Sequence, residues 1–469
     1  MNEKRLNAYL DFIQAVLTCR SGSEAAIVQA NLELVDSGLV QTMSAVSRMM
    51  IDRGDHSAGN WLHSFASELA IAINNGASPE IILRTDSETL TFGEITSGTA
   101  CTELDTFLSE VLQATVKSGT NPQFVYPILQ QNLDKINDDF ANSLKVWATE
   151  TFPNVEPDEA NFLATVINDF STLIQQFPLG SKSNNLEIAI TGYHLVLIVY
   201  KREAFPEQWA TAQNNLGVAY SERIKGNRAQ NLEKAIAAYQ AALQVRTREA
   251  FPIKWAMIQN NLGNAYTNRI EGIRAENLEK AIAAFEAALQ VRTREAFPND
   301  WAMTQSNLGN AYSNRIQGNK AENFEKSIAA YQAALEVCTR EANPQLWARV
   351  QNNLGTAYTY RTLGDRAQNL ERAIAAFEAA LQVRTREAFP QQWARTQNNL
   401  GTAYNNRIEG NRAENLEKAI AAFEAALSVR TLENAPQQWA RTQSNLGFAC
   451  EDLWNRKQNV EAEPTGNWK

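Results

Sequence analysis

The most regular pattern along the chain is an alternation of two amphipathic helices between residues 209 and 454. The first of them has one stripe at helical spacing, made of Trp209, Gln213, Leu216, Tyr220 and Ile224. Pro206 precedes the stripe, at a position where the missing N–H costs nothing. Gly226 follows it, where a helix ends. The pattern therefore predicts a helix that begins near Pro206 and ends before Gly226.

The second block of the alternation has its own apolar face. That face consists of Leu232, Ala235, Ile236, Tyr239, Ala242 and Leu243. Asn231 precedes it and is predicted to be the N-cap, because its side chain accepts from free backbone N–H groups. The helix is predicted to run to Ala250, since Phe251 lies before Pro252 and is biased away from helical geometry.

The two blocks recur with a fixed period of 46 residues. The positions that show it best are Trp209, Trp255, Trp301, Trp347, Trp393 and Trp439. Residues 156–208 fit the second block but have Leu163 in place of the tryptophan, so they are interpreted as a degenerate first repeat. The last unit has only its first helix, and residues 455–469 are predicted to be a flexible tail. Such periodicity is typical of a stacked repeat array.

A glycine lies inside every first helix, Gly217 being the first of the series. Glycine in a helix interior costs about 1 kcal/mol relative to alanine. Its recurrence at this position indicates a close approach to the alanine face of the second helix, which is a packing role and not a catalytic one.

These motifs resemble the tetratricopeptide repeat. Leu216, Gly217 and Tyr220 match its L-G-x-x-Y motif, and Ala235, Tyr239 and Ala242 match its A-x-x-x-F-x-x-A motif. The period is 46 rather than 34 residues. The repeats are most similar to the kinesin-light-chain type and to the repeat arms of bacterial proteins that carry a CHAT protease domain, for which this chain has no room. The resemblance implies an all-α fold, a right-handed superhelical solenoid that binds polypeptides in a concave groove.

The part of the chain before the repeats is also predicted to be mostly helical. Residues 1–84 are interpreted as an acidic helical region and residues 101–155 as a helical connecting region. Residues 85–100, rich in Thr, Ser and Gly, are predicted to be a linker or small hairpin. The repeats then extend over residues 209–454.

Charge divides the chain into two parts. Residues 1–200 contain 10 Lys+Arg and 24 Asp+Glu, a balance of −14, whereas the rest contains 33 and 28, a balance of +5. Neither part has the basic surplus that nucleic-acid binding requires. The longest apolar run, residues 188–200, is shorter than the roughly 20 residues of a membrane-spanning helix. We therefore expect neither nucleic acid nor membrane as a partner.

Residues with catalytic or metal-binding chemistry are sparse. The four cysteines form no CxxC pair, which favours free thiols and a cytoplasmic protein. His56 and His63 lie seven residues apart near Asp55, but no third ligand joins them at a recognised spacing. No catalytic motif is present. The sequence therefore predicts no enzyme activity, no metal and no cofactor.

The candidate binding residues are asparagines that recur outside the packing stripe. The position before the L-G leucine is asparagine in every repeat: Asn215, Asn261, Asn307, Asn353, Asn399 and Asn445. Asn260, Asn264 and Asn310 are neighbouring candidates. Asparagine is a poor helix former, and its amide matches a peptide group in donor and acceptor. The alternative is that these amides bond only to neighbouring helices.

Two arginine series complete the candidates. Arg349, Arg395 and Arg441 replace Thr or Met at one groove position, so the groove becomes basic toward its C-terminal end and suits an acidic peptide. A second series, which begins at Arg223, ends each first helix and is interpreted as contacting helix-end carbonyls.

The function that these patterns favour is a protein–protein interaction scaffold that binds a partner peptide in the asparagine-rich groove. One alternative is a regulatory or sensor subunit of a separately encoded protease or signalling enzyme, which the CHAT resemblance suggests. Another is an unknown enzyme in residues 1–155. The acidic N-terminal half is a candidate second interaction module or a cover for the groove.

Overall fold

The computed structural model describes residues 3–18, 27–28, 30–52, 62, 65–66, 69 and 103–462. The chain forms two compact units, residues 1–95 and 96–469. Throughout the described residues the regular structure is helical, without any strand, which confirms the all-α prediction. Each described helix lacks the combination of length and apolarity needed to cross a bilayer.

The first unit contains helix α1 (Glu3–Thr18), a 3₁₀ turn (Leu32–Leu34) and helix α2 (Ser37–Asp52). Tyr9 and Phe12 of α1 pack with Met43 of α2 in its core. Asp36 caps α2 by accepting from the backbone N–H of Leu39 at 2.9 Å. The predicted linker at 85–100, His56 and His63 lie outside the described residues.

The second unit begins with five helices that precede the regular repeats. They are α3 (Glu103–Ser118), α4 (Pro122–Gln131), α5 (Asp138–Thr151), α6 (Pro157–Gln176) and α7 (Lys182–Val199). The last two pack closely against each other, as the helices of one repeat do. They correspond to the predicted degenerate repeat.

Residues of the first unit recur 101 positions later in the second unit. Asn31 donates its amide to the Ile27 carbonyl at 2.8 Å, and Asn132 donates to the Ile128 carbonyl at 2.9 Å. Each asparagine is followed by a 3₁₀ turn, and Leu62 and Leu163 are both buried. The two segments therefore share a local motif, an asparagine that bonds back to the preceding helical turn and is followed by a 3₁₀ turn.

Each regular repeat pairs a first helix of 17 residues with a second helix of 16 residues. The first helices are α8 (Pro206–Glu222), α10 (Pro252–Asn268), α12 (Pro298–Asn314), α14 (Pro344–Tyr360) and α16 (Pro390–Asn406). The second helices are α9 (Arg228–Leu243), α11 (Arg274–Leu289), α13 (Lys320–Leu335), α15 (Arg366–Leu381) and α17 (Arg412–Leu427). Proline begins every first helix, as predicted.

Three predicted helix boundaries are wrong. The N-cap of α9 is Asn227, whose side chain accepts from two backbone N–H groups, and the predicted cap Asn231 is a buried residue inside the helix. The second helix ends at Leu243 rather than Ala250. Ile224 lies after the first helix and is exposed. The additional residues of the 46-residue period therefore form the loops between helices.

The glycine inside each first helix from α8 to α16 packs against an aromatic ring. A Cβ atom placed on Gly217 would lie 2.5 Å from the ring of Tyr239, and one on Gly263 would lie 2.7 Å from the ring of Phe285. The predicted close approach is confirmed: the ring is the nearest group, and the alanine face is also close, since a Cβ on Gly355 would lie 3.0 Å from the backbone oxygen of Ala373. Glycine is required because a methyl group would overlap the ring.

Successive repeats are joined by arginine–glutamate pairs. Arg223 donates from Nε and Nη2 to the two carboxylate oxygens of Glu187 at 2.8 and 2.7 Å. The same bidentate pair recurs as Arg269–Glu233, Arg315–Glu279, Arg361–Glu325 and Arg407–Glu371. The interpretation that this arginine series contacts helix-end carbonyls is wrong, because the guanidinium reaches the second helix of the preceding repeat.

The last helix, α18 (Pro436–Ala462), is longer than the other first helices. It continues beyond residue 454, so residues 455–462 are helical where the sequence predicted a tail. It packs against α17, and no second helix follows it within the described residues. In that part of the chain no group from outside the backbone of α18 lies within 4 Å of a Cβ placed on Gly447, and Phe448 and Trp454 are exposed.

Candidate functional site

The first helices form the inner wall of the array. Successive first helices contact one another, and successive second helices approach each other less closely. A stack of helix pairs curves toward the side on which its helices are closer together. The predicted site residues all belong to first helices, so they lie on the elements that line this inner face.

The predicted asparagines before the L-G leucine bond to asparagines of the preceding first helix, most of which were not among the predicted site residues. The amide of Asn307 donates to Asn260 Oδ1 at 3.0 Å, and that of Asn399 donates to Asn352 Oδ1 at 3.3 Å. Equivalent bonds at 3.5 and 3.4 Å join Asn261 to Asn214 and Asn445 to Asn398. We call this series the asparagine ladder.

One position in the ladder differs. Ser306 replaces the accepting asparagine, and its hydroxyl is buried without a hydrogen-bond partner among the described residues. Asn353 of the next repeat donates instead to Asn310 Oδ1 at 2.9 Å. Asn310 also accepts from the Tyr331 hydroxyl at 2.6 Å. The ladder is therefore continuous, but both candidates at this step are used internally.

Burial separates the predicted asparagines into two groups. Asn260, Asn307 and Asn353 are 3%, 7% and 7% exposed. Because their amides are buried and bonded between helices, the alternative interpretation, in which they bond to neighbouring helices, describes these three. Half-buried positions, which keep part of their surface toward solvent, are Asn215, Asn261, Asn264, Asn310, Asn399 and Asn445.

The three predicted groove arginines lie in different surroundings. Arg395 and Arg441 are exposed, and Arg395 donates to Asn353 Oδ1 at 3.3 Å. Arg349 is half-buried, and its Nε is buried without a hydrogen-bond partner in the described part of the chain. Burial lowers the pKa of Arg349. Arg349 is thus the least exposed of the three predicted groove arginines.

A third arginine series, which the sequence analysis did not select, is buried just after the second helices. Its members are Arg246, Arg292, Arg384 and Arg430, all at most 9% exposed, with Cys338 at the equivalent position in one repeat. The sequence signal was the recurrent V-R-T triplet, interrupted at Cys338. An arginine buried in several repeats requires a polar partner in each of them.

The partners of these arginines change along the array. Arg246 donates to the Glu207 carboxylate at 2.9 Å. Arg292 lies 3.8 Å from the Asp300 carboxylate and donates to the Thr304 hydroxyl. Arg384 donates to the Thr396 hydroxyl at 3.1 Å, and no carboxylate among the described residues lies within ion-pair distance of it. The positive charge of Arg384 is therefore not compensated by an acidic side chain of the described residues.

A cavity of about 480 Å³ lies at this uncompensated position. Its walls come from three consecutive repeats, and Arg349, Arg384 and Asp300 are its charged residues. Burial, together with the positive charges of Arg395 and Arg349, lowers the pKa of Arg384 to about 10. The cavity is a local concentration of positive charge.

Metal-binding and acid–base chemistry are not concentrated at any described position. No group of three or more His, Cys, Asp or Glu side chains arranged to hold a metal occurs among the described residues. His194 Nε2 lies 2.8 Å from the Tyr220 hydroxyl, and burial lowers the pKa of this histidine.

Comparison with known proteins supports the repeat assignment. Four segments match the family described as Tetratricopeptide repeat: residues 209–248, 255–295, 301–340 and 393–431. A search of curated protein sequences finds no match. Each matched segment begins at one of the recurrent tryptophans and spans the helix pair of one repeat.

Similar solved structures include the crystal structure of the P58(IPK) TPR domain, which is 12% identical with a TM-score of 0.28 over 97% of this chain and 99% of that one. A circular tandem repeat protein with novel repeat topology and enhanced subunit contact surfaces is 13% identical, with a TM-score of 0.20 over 98% of each chain. Both scores are too low to support an argument about this fold. The matched segments and the stacked helix pairs show that residues 209–431 contain tetratricopeptide repeats, and such an array is a scaffold of the kind that supports protein–protein interaction.

Proposed function

We propose that the chain is a cytoplasmic, non-enzymatic scaffold that binds a partner polypeptide along the inner face of its repeat array. The observation that carries this proposal is the wall formed by successive first helices, with half-buried amides and exposed arginines on it. Tetratricopeptide arrays act in protein–protein interaction, and an extended concave surface is what such solenoids use for binding.

The binding residues in this proposal are those that keep solvent contact. Asn215, Asn261, Asn264 and Asn399 offer amides to a peptide backbone, while the buried ladder members hold the first helices in register. A hydrogen bond contributes about 0.5–1.5 kcal/mol net. Amides alone would therefore give weak binding, and charged anchors are needed for a stable complex.

Arg395 and Arg441 are the proposed anchors at the C-terminal end of the groove. Both are exposed, and a guanidinium binds a carboxylate through two parallel hydrogen bonds. An acidic segment in the partner is the chemistry that fits them. Charge pairing at exposed positions is screened by salt, so we expect affinity to fall as ionic strength rises.

Comparative co-purification tests this proposal. Partners captured by the full chain from its own cells would be identified by mass spectrometry and compared with those of an Arg395→Thr/Arg441→Thr variant, which introduces the residue of position 211. The control is Lys326→Thr/Lys418→Thr, an equal charge change on exposed positions of second helices. We expect the arginine variant to capture at least ten-fold less of a partner that the control captures in full. Equal capture by both variants would show that the groove is not the binding surface.

A further inference from the structure

The arginines buried after the second helices differ in one respect, which is whether the chain supplies a counter-charge. A buried charge is stable only when it is paired and hydrogen-bonded. Arg246 meets this condition through the Glu207 carboxylate at 2.9 Å. Arg384 is also buried, at 7% exposed, but among the described residues its hydrogen bond goes to the neutral Thr396 hydroxyl.

The repeats show which residues have changed. Glu207 lies 39 positions before Arg246, and the residue 39 positions before Arg384 is Gln345. Asp300 lies eight positions after Arg292, and the residue eight positions after Arg384 is Gln392. Both positions that supply a carboxylate elsewhere in the array are therefore neutral around Arg384, and both glutamines line the 480 Å³ cavity.

The preceding repeat avoids an unpaired buried charge in another way, by having no arginine at the equivalent position. There the two corresponding positions are Asn299 and Leu346, which are also neutral, and the arginine itself is replaced by Cys338. Cys338 is 1% exposed, so the repeat tolerates a neutral side chain at this buried position. Packing alone therefore does not demand Arg384.

Arg349 adds a second positive charge to the same cavity. It stands where Met257 and Met303 occur in earlier repeats, and its buried Nε has no hydrogen-bond partner among the described residues. The carboxylate of Asp300 lies on the cavity wall but is already within 3.8 Å of Arg292. Two guanidinium groups thus lack a carboxylate of their own.

We propose that the cavity lined by Arg349 and Arg384 is a binding site for an oxyanion, a carboxylate or phosphate group that replaces the missing acidic side chain. Guanidinium groups bind both anions through paired, charge-assisted hydrogen bonds. The side chains of Gln345, Gln392 and Asn343 on the same walls offer further N–H donors. The anion is either free in solution or carried by the partner polypeptide, and the second source rests on the proposed scaffold function.

Thermal unfolding tests the site with inorganic phosphate as the probe. The full chain would be melted in increasing sodium phosphate and in sodium chloride of matched ionic strength. A ligand that binds only the folded state raises Tm in proportion to the logarithm of its concentration above Kd. We expect a rise of a few degrees in phosphate beyond that in chloride. An identical Tm in the two salts would overturn the proposal.

Three variants locate the effect. Arg349→Met and Arg384→Cys, combined, introduce residues that other repeats have at these positions. We expect the combined variant to show at least a ten-fold smaller rise of Tm in phosphate over chloride. Arg246→Cys is the matched control, since its arginine is already paired, and it keeps the response. Gln345→Glu installs the carboxylate of the first repeat, so we expect a higher Tm without phosphate and no further rise with it. An unchanged response in the combined variant or in Gln345→Glu would contradict the site.

Competition distinguishes the two sources of the anion. A synthetic deca-glutamate peptide would be titrated into the full chain with and without saturating phosphate, followed by calorimetry. A partner-borne carboxylate predicts that phosphate weakens peptide binding and that the combined variant does the same. Phosphate binding without peptide binding assigns the site to a free anion. Partner capture through Arg395 and Arg441 is measured separately, so failure of the oxyanion site leaves that result standing.

Discussion

The two ends of the repeat array have the same architecture but different electrostatics. At the N-terminal end, a cavity of about 690 Å³ contains Arg246, and Glu207 of the same cavity neutralises it. Toward the C-terminal end, the cavity of about 480 Å³ contains Arg349 and Arg384, with glutamines at the acidic positions. The difference shows that a structural ion pair in one repeat becomes a candidate anion site in another when its acidic partners become neutral and Arg349 replaces a methionine.

The contacts that hold the stack together continue along the array, with one altered step at Ser306. The asparagine ladder extends from Asn214 to Asn445, and the bidentate arginine–glutamate pairs extend from Glu187 to Arg407. Because these contacts do not involve Arg384, the stack needs no carboxylate beside Arg384 to form. Binding chemistry is therefore free to vary on a constant framework.

The largest expected difference between interior repeats and the C-terminal end concerns the helix glycine. Gly263→Ala places a methyl group 2.7 Å from the Phe285 ring, so we expect a loss of about 1–3 kcal/mol from overpacking. Gly447→Ala meets nothing within 4 Å and should add up to about 1 kcal/mol from helix propensity. Urea midpoints followed by circular dichroism measure both. Loss of stability in both variants would show that α18 packs as the interior first helices do.

The next largest difference is expected when the buried arginines of the two cavities are replaced by methionine, because the two substitutions should change the free energy of unfolding differently. Arg246→Met breaks a bonded pair and should lower the free energy of unfolding. We expect a cost of only about 1–3 kcal/mol, because the half-exposed Glu207 regains water. Arg384→Met removes an uncompensated buried charge, so it should be neutral or stabilising by about 1 kcal/mol or more. Urea unfolding in chloride buffer, without phosphate, gives the comparison. Equal losses would mean that Arg384 is as well compensated as Arg246.

The smallest effect is expected for the arginine–glutamate pairs, and it should be the same at both ends. Arg269→Gln and Arg407→Gln each remove a bidentate pair whose side chains are 22–39% exposed. Because solvent screens such pairs, we expect about 0.5–1 kcal/mol for each. The measurement is the shift of the urea midpoint. A much larger loss at one end would show that the framework is not uniform.

Pattern and period were sufficient to predict the helix pairs, the proline starts and the close approach at Gly217. They misplaced the N-cap because the first turn of α9, residues 228–231, has no large apolar side chain. They extended the helix beyond Leu243 because Pro252 was the next stop signal in the sequence. The loop after Leu243 forms since the next first helix must return to pack beside its neighbour. Local spacing does not contain that requirement.

The candidate site was predictable in composition but not in geometry. Repetition showed that asparagines and arginines were important on the first helices, yet it did not show that Asn260 and Asn307 face each other between helices. Arg384 was overlooked because arginine in a loop usually lies in solvent, and its burial depends on contacts from three repeats.

The sequence by itself determined that this protein is a stack of helix pairs, because a 46-residue period of amphipathic blocks buries its apolar faces only by stacking. Only the tertiary structure decided which polar groups are available for binding. An amide or guanidinium has the same chemistry wherever it occurs, and its role depends on which neighbours reach it first: Asn307 is used by Asn260, Arg246 by Glu207, and Arg384 by no carboxylate among the described residues.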